Sequence, residues 1–155
     1  MIKTARQLGW VGDAPGAFGA LILCALVAAR AAASATAERV QVFGYEADWP
    51  CLFRRLFALP CPGCGLTRGS LLTLQGQLTD AFALNAAAPL VVFGLVALAS
   101  ALVALALLRR ARAAEAAAQL LQRVRAGLRL YGALLAAVLL VNWIAELIRA
   151  FGSPG

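Results

Sequence analysis

The sequence predicts an all-α integral membrane protein: three transmembrane helices, plus two short interfacial or re-entrant helices that carry a Cys-x-x-Cys motif. Three observations predict it. Of the 155 residues, 63% are hydrophobic and only 14% charged, where a soluble domain carries roughly 25% charged residues. The apolar residues gather into three stretches near 14–33, 81–108 and 130–148, each close to the ~20 residues that cover a hydrocarbon core of ~30 Å. The positive charge is concentrated at one junction between stretches, which is a topological signal. The whole chain, 1–155, reads as a single membrane domain.

The first span, 14–33, contains Arg30, whose stem reaches the headgroups when it lies near a helix end. Lys3 and Arg6 precede it, and Ala35-Thr36-Ala37 follows it, so the segment also fits a cleavable signal peptide. Cys24 lies mid-span, where a small apolar residue serves packing. Gly12, Gly16 and Gly19 allow a close helix contact.

Residues 34–80 form a charge-balanced cap between the first and second spans. Asp48-Trp49-Pro50 is a helix start, with an acid before the first turn and proline near its first position. Leu52, Phe53, Leu56 and Phe57 then share one face and Arg54 and Arg55 the other, as in a short interfacial helix ended by Pro60. A second short helix is expected from about Pro62 to Leu74. At 1.5 Å per residue it is roughly 18 Å long and cannot span.

The second span, 81–108, has no charge inside it. Asp80 opens it, where a helix N-terminus favours an anion, and Arg109 and Arg110 close it. The segment 109–129 holds Arg109, Arg110, Arg112, Arg123, Arg125 and Arg129 against the single acid Glu115. It lacks a breaker before Gly127 and groups Leu120, Leu121, Val124 and Leu128 on one face, as an interfacial helix on anionic lipid does. By the positive-inside rule it faces the cytoplasm. The N-terminus then lies inside and the cap 34–80 on the outer face of the membrane. The third span, 130–148, carries Asn142 and, one turn from its end, Glu146, which has Arg149 and Arg30 as candidate partners.

The chemistry concentrates in Cys61-Pro62-Gly63-Cys64-Gly65-Leu66-Thr67-Arg68. Cysteines three apart at a helix start lie on the same side, close enough for a disulfide or shared metal coordination. Arg68 is placed four residues after Cys64 on that face, and helix dipole and cation together favour a thiolate. Cys51, ten residues before Cys61, is a further candidate partner or ligand.

The stretch Leu59-Pro60-Cys61-Pro62-Gly63-Cys64-Gly65-Leu66-Thr67-Arg68, with Leu74-Gln75-Gly76-Gln77-Leu78 and Ala81-Phe82-Ala83-Leu84-Asn85 after it, resembles the small bacterial membrane proteins of the domain of unknown function 2752 family. The resemblance covers about 59–95. It implies a Cys-Pro-x-Cys-Gly-Leu-Thr-Arg signature, a short hydrophobic helix, a glycine turn and an asparagine-proline pair entering a membrane helix. Here Ala86, Ala87 and Ala88 separate Asn85 from Pro89. The family name carries no activity.

Three readings of Cys61 and Cys64 stand side by side. One is a structural disulfide, suited to an oxidising face. Another is a ligand pair for zinc or an iron–sulfur cluster, completed by Cys51, an acid or a second copy across an interface, since two cysteines supply half of a tetrahedral site. The third is a redox-active dithiol with Arg68 stabilising the thiolate. They lead to two functions: a small accessory or assembly subunit of a membrane complex, or a membrane thiol-disulfide or electron-transfer protein. The expected partners are lipid, other membrane subunits or a second copy. Without histidine, His-based metal triads, Ser-His-Asp chemistry and His haem ligation from this chain alone are excluded. The net charge of +7 lacks the basic stripe with interleaved aromatics of a nucleic-acid binder.

Overall fold

The fold was analysed in a computed structural model that describes residues 4–36, 39–46, 56, 59, 61 and 63–152, with backbone alone for 4–13 and 152. Among the described residues the order is α1 (Thr4–Ala32), β1 (Ala33–Ala35), β2 (Val40–Val42), β3 (Tyr45–Glu46), α2 (Leu66–Leu74), α3 (Leu78–Leu84), α4 (Ala87–Arg110) and α5 (Ala114–Gly152). Three helical stretches are long and apolar enough to cross a membrane: Ala14–Ala32, Ala87–Arg110 and Ala114–Phe151. The helical membrane fold read from composition and charge therefore stands, with four local corrections.

The first concerns the cap. Residues 33–46 form a three-stranded antiparallel sheet in the order β1-β2-β3, which the expectation of an all-helical cap did not contain. Ala33 pairs with Val42 and Ala35 with Val40, while Val42 also pairs with Tyr45 and Gln41 with Glu46. Side chains alternate between faces along a strand, so Ala33, Ala35, Val40, Val42 and Tyr45 share an apolar face opposite Ser34, Gln41 and Glu46. The expected helix beginning at Asp48-Trp49-Pro50 lies outside the described residues, apart from Leu56, which is helical.

The second correction concerns the next short helix, which starts at Leu66 rather than Pro62. It ends in a Schellman turn: the Gln77 amide donates to the Leu72 carbonyl at 2.9 Å and the Gly76 amide to the Thr73 carbonyl at 3.0 Å.

The third correction moves the start of the second span from Ala81 to Ala87. Residues Leu78–Leu84 are a separate helix, α3, with Asp80 in its first turn.

The fourth concerns segment 109–129, which is not an independent helix. Ala111–Ala113 make a tight turn in which Arg112 adopts φ 57°, and the 39 residues of α5 continue without a break at Gly127. At 1.5 Å per residue α5 is about 58 Å long, roughly twice a hydrocarbon core.

The chain divides into two compact units, Met1–Val27 with Gly94–Tyr131 and Ala28–Phe93 with Gly132–Gly155. In the first, Gly19 lies so close to α4 that a Cβ there would stand 2.6 Å from the Ala99 carbonyl oxygen, and one at Gly16 would stand 2.6 Å from the Ala106 Cβ. These small residues let the two helices meet at backbone distance, where lipid supplies no hydrophobic drive and packing must hold them. The Tyr131 ring fills the space a side chain at Gly94 would need.

In the second unit the core is Ala35, Leu72 and Ala81, with Val40, Leu71 and Leu84 packed against it. The carboxamide of Gln75, oriented with nitrogen toward the Ala35 carbonyl, spans the edge of β1 at 3.2 Å and accepts from the Ala35 amide at 3.0 Å. That pairing satisfies an edge strand's backbone groups. Ala35, the first residue of the small tripeptide after the first span, is thereby buried. Glu146 pairs with Arg149 at 2.7 Å, one of its two candidate partners.

Candidate functional site

The motif is built from turns. The Cys64 amide donates to the Cys61 carbonyl at 3.0 Å and the Leu66 amide to the Gly63 carbonyl at 3.1 Å, so two successive four-residue turns lead into α2. Within the second of them Gly65 takes φ 80°, a left-handed conformation that costs a residue with a Cβ roughly 1–2 kcal/mol. A Cβ there would also lie 3.0 Å from the Leu84 carbonyl oxygen. Glycine is needed on both counts.

This geometry revises the expected start of the helix. Cys61 and Cys64 stand at the ends of a turn ahead of α2, not on its first turn. Arg68 lies half-buried in the first turn of α2. Cys61 and Cys64 are half-buried thiols rather than a disulfide, and the Gly63 amide donates to the Cys61 sulfur at 3.3 Å. Cys51 lies outside the described residues. Cys24 is exposed on α1. Among the described residues no three Cys, Asp or Glu side chains gather as a metal site.

Asn85 holds this turn in place. It is fully buried, and its Nδ2 donates to the Cys64 carbonyl at 3.1 Å. Its Oδ1 accepts from the Ala87 amide at 3.0 Å, and its own carbonyl accepts from the Ala88 amide at 2.9 Å. One residue thus follows the end of α3, caps the N-terminus of α4 and clamps the second cysteine's backbone. An asparagine N-cap satisfies an amide that the helix leaves without a partner. Pro89 falls in the first turn of α4 and is fully buried; there its missing amide costs little. The three alanines between Asn85 and Pro89 therefore keep a proline in the opening turn. Two of them, Ala87 and Ala88, are fully buried. Ala88 lies where a Cβ on Gly69 of α2 would come within 2.7 Å, so small residues on both sides bring the motif helix onto the head of the span.

The family model described as "Protein of unknown function (DUF2752)" matches residues 51–99. The match covers about a third of the chain and shows what this stretch is similar to. It begins at Cys51, ahead of the expected resemblance at 59–95, and runs through the turn, α2 and α3 into α4. Every group in the clamp just described, from Cys61 to Pro89, lies within the matched residues. No curated protein and no solved structure matches the chain significantly.

The hold of Asn85 on the cysteine turn is not legible in the sequence. The signal for its capping role was the residue type: an asparagine just ahead of a charge-free helical run is a capping residue first. The sheet was also missed. Its signals were the alternation Val40-Gln41-Val42 and the Phe43-Gly44 pair that follows.

Proposed function

We propose that this multi-pass membrane protein is a small accessory or assembly subunit whose Cys61–Cys64 turn supplies half of a metal site. The remaining ligands come from a second copy or a partner subunit. The observation that carries the reading is the turn itself: two thiols three residues apart, a backbone amide donating to the Cys61 sulfur at 3.3 Å, and the Cys64 carbonyl tied to buried Asn85. Hydrogen bonds to sulfur and a fixed backbone are what a thiolate ligand pair requires of its surroundings. Zinc, or an iron–sulfur cluster shared across the interface, fits a sulfur-only donor set.

The arginines of segment 109–129, read by the positive-inside rule, put that segment in the cytoplasm of a bacterial cell. The N-terminus is then cytoplasmic and the motif lies on the outer face of the inner membrane. A redox dithiol at Cys61 and Cys64 is the second reading, favoured by the two residues standing as thiols in one turn.

Metal analysis of the purified full chain, beside Cys61→Ser and Cys64→Ser, tests the proposal. Bound zinc or iron that both substitutions remove, at one atom per two chains for zinc, is the expected result. A metal-free protein in which the pair cycles between dithiol and disulfide with a mild oxidant would replace it with the redox reading.

A further inference from the structure

The three-stranded sheet has one apolar face, and only part of it is covered. At the inner end Ala35 is buried against Leu72 and Ala81, with Val40 packed beside it. At the outer end Val42 is 36% exposed, Phe43 77% and Tyr45 80%. Val42 and Tyr45 are cross-strand partners and so lie side by side on that face, with Phe43 next to them in the turn. On the other face Arg39 pairs with Glu46 at 2.6 Å, both more than half exposed. The hairpin is thus apolar on one side and charged on the other up to its tip.

The tip is also an outlier. Phe43 and Gly44 connect the strands with φ 52° and 83°, a two-residue turn whose first position normally takes Asn, Asp or Gly. A bulky aromatic in left-handed backbone costs on the order of 1–3 kcal/mol, and nothing in the fold of the hairpin requires it. Its location supplies a reason. The Phe43 amide donates to the carbonyl of Ala32 at 2.8 Å, and Ala32 is the last residue of the first candidate span. The tip is therefore held level with the end of a membrane helix, where aromatic side chains concentrate at the boundary of headgroups and acyl chains.

We propose that Val42, Phe43 and Tyr45 form an interfacial anchor that inserts into the headgroup–acyl boundary of the bilayer beside the end of α1, with the Arg39–Glu46 pair facing water. The anchor fixes the depth and tilt of the sheet, and through Ala35 and Leu72 the depth of α2. The occupant is phospholipid rather than protein, because the hydrogen bond to Ala32 fixes the aromatic tip at the span's own boundary.

The test places the photocrosslinker p-benzoylphenylalanine at Phe43 in the full chain, reconstituted in phosphatidylcholine vesicles containing phosphatidylglycerol. Parallel chains carry it at Gln41, on the polar face, and at Phe18, exposed on the first span. After irradiation, mass spectrometry is expected to find lipid adducts at positions 18 and 43 and their loss at 41. Adducts at 43 to a second copy of the chain instead of lipid, equal lipid adducts at 41 and 43, or lipid adducts at 18 alone would each overturn the anchor. The adduct at 18 establishes that the chain has inserted, which separates a wrong proposal from an unfolded sample.

Discussion

Asn85 and Cys64 are joined by one hydrogen bond of 3.1 Å across 21 residues of sequence, and that bond makes the head of the second span and the cysteine turn a single piece. The Asn85 end of the bond is not replaceable by water, since that residue is fully buried. A buried polar group that loses its partner costs about 1–3 kcal/mol.

Asn85→Ala removes the clamp and the cap together and should destabilise the protein by about 2–4 kcal/mol, the sum of a lost N-cap and a lost buried hydrogen bond. Asn85→Asp keeps an oxygen for the Ala87 amide but places an acceptor against the Cys64 carbonyl. It should therefore release the turn while retaining the start of the helix. Thermal melting in detergent reads the stability. The alkylation rate of Cys64 reads the turn, and should rise in both variants; an unchanged rate would show that the clamp does not restrain the cysteine.

Gly65→Ala and Gly69→Ala are expected to fail for different reasons. At Gly65 the left-handed backbone and the nearby Leu84 carbonyl both oppose a Cβ, for a loss of roughly 1–2 kcal/mol. At Gly69 the backbone is helical and alanine is intrinsically preferred, but its Cβ would meet that of Ala88 at 2.7 Å. Overpacking of this kind costs about 1–3 kcal/mol. Pairing Gly69→Ala with Ala88→Gly should restore most of that loss, whereas the same partner should leave Gly65→Ala unchanged. Melting temperatures of the four variants decide it.

Gly94 and Tyr131 should be coupled. Gly94→Ala puts a methyl group where the tyrosine ring sits and should lower stability by about 1–3 kcal/mol, while in a Tyr131→Ala background the same change should cost little. A double-mutant cycle by chemical or thermal unfolding measures the interaction energy. Additive losses would mean that the ring moves aside freely.

Replacing Arg109, Arg110 and Arg112 with Glu should weaken the orientation signal of the second and third spans. A reporter fused after Gly155 and sensitive to the side of the membrane should give a single population in the parent and a mixed one in the variant. An unmixed population would assign the orientation to Arg123, Arg125 and Arg129 or to Lys3 and Arg6 instead.

The parts of the molecule legible in the sequence are those governed by long uninterrupted patterns. The three spans follow from long apolar runs with at most one charge each, which no water-soluble packing could cover, and the cysteine turn from a motif with two glycines and a proline. What was not legible depends on single residues acting out of type. Arg112 takes the left-handed position where a glycine would have announced the end of α4, so the turn before α5 went unseen. Gly127 is the residue expected to break a helix, yet it lies inside one, because an isolated glycine costs only about 1 kcal/mol and neighbouring turns outweigh it. Phe43 hides a hairpin turn for the same reason as Arg112. The division between α3 and α4 is invisible to hydropathy, since Ala81–Leu84 run without a charge into the span behind them. Only the capping chemistry of Asn85 separates them.

The late start of α4 has a consequence for where the sulfurs react. Counting the span from Ala87 rather than Ala81 shifts its head by six residues, about 9 Å along the axis, and Cys64 is tethered to the residue two places before that head. The thiols are accordingly expected at the rim of the oil layer rather than out in bulk solvent. Lipophilic maleimides should outpace charged ones of equal intrinsic reactivity there, and the local supply of any oxidant or metal carrier is set by its partition into lipid.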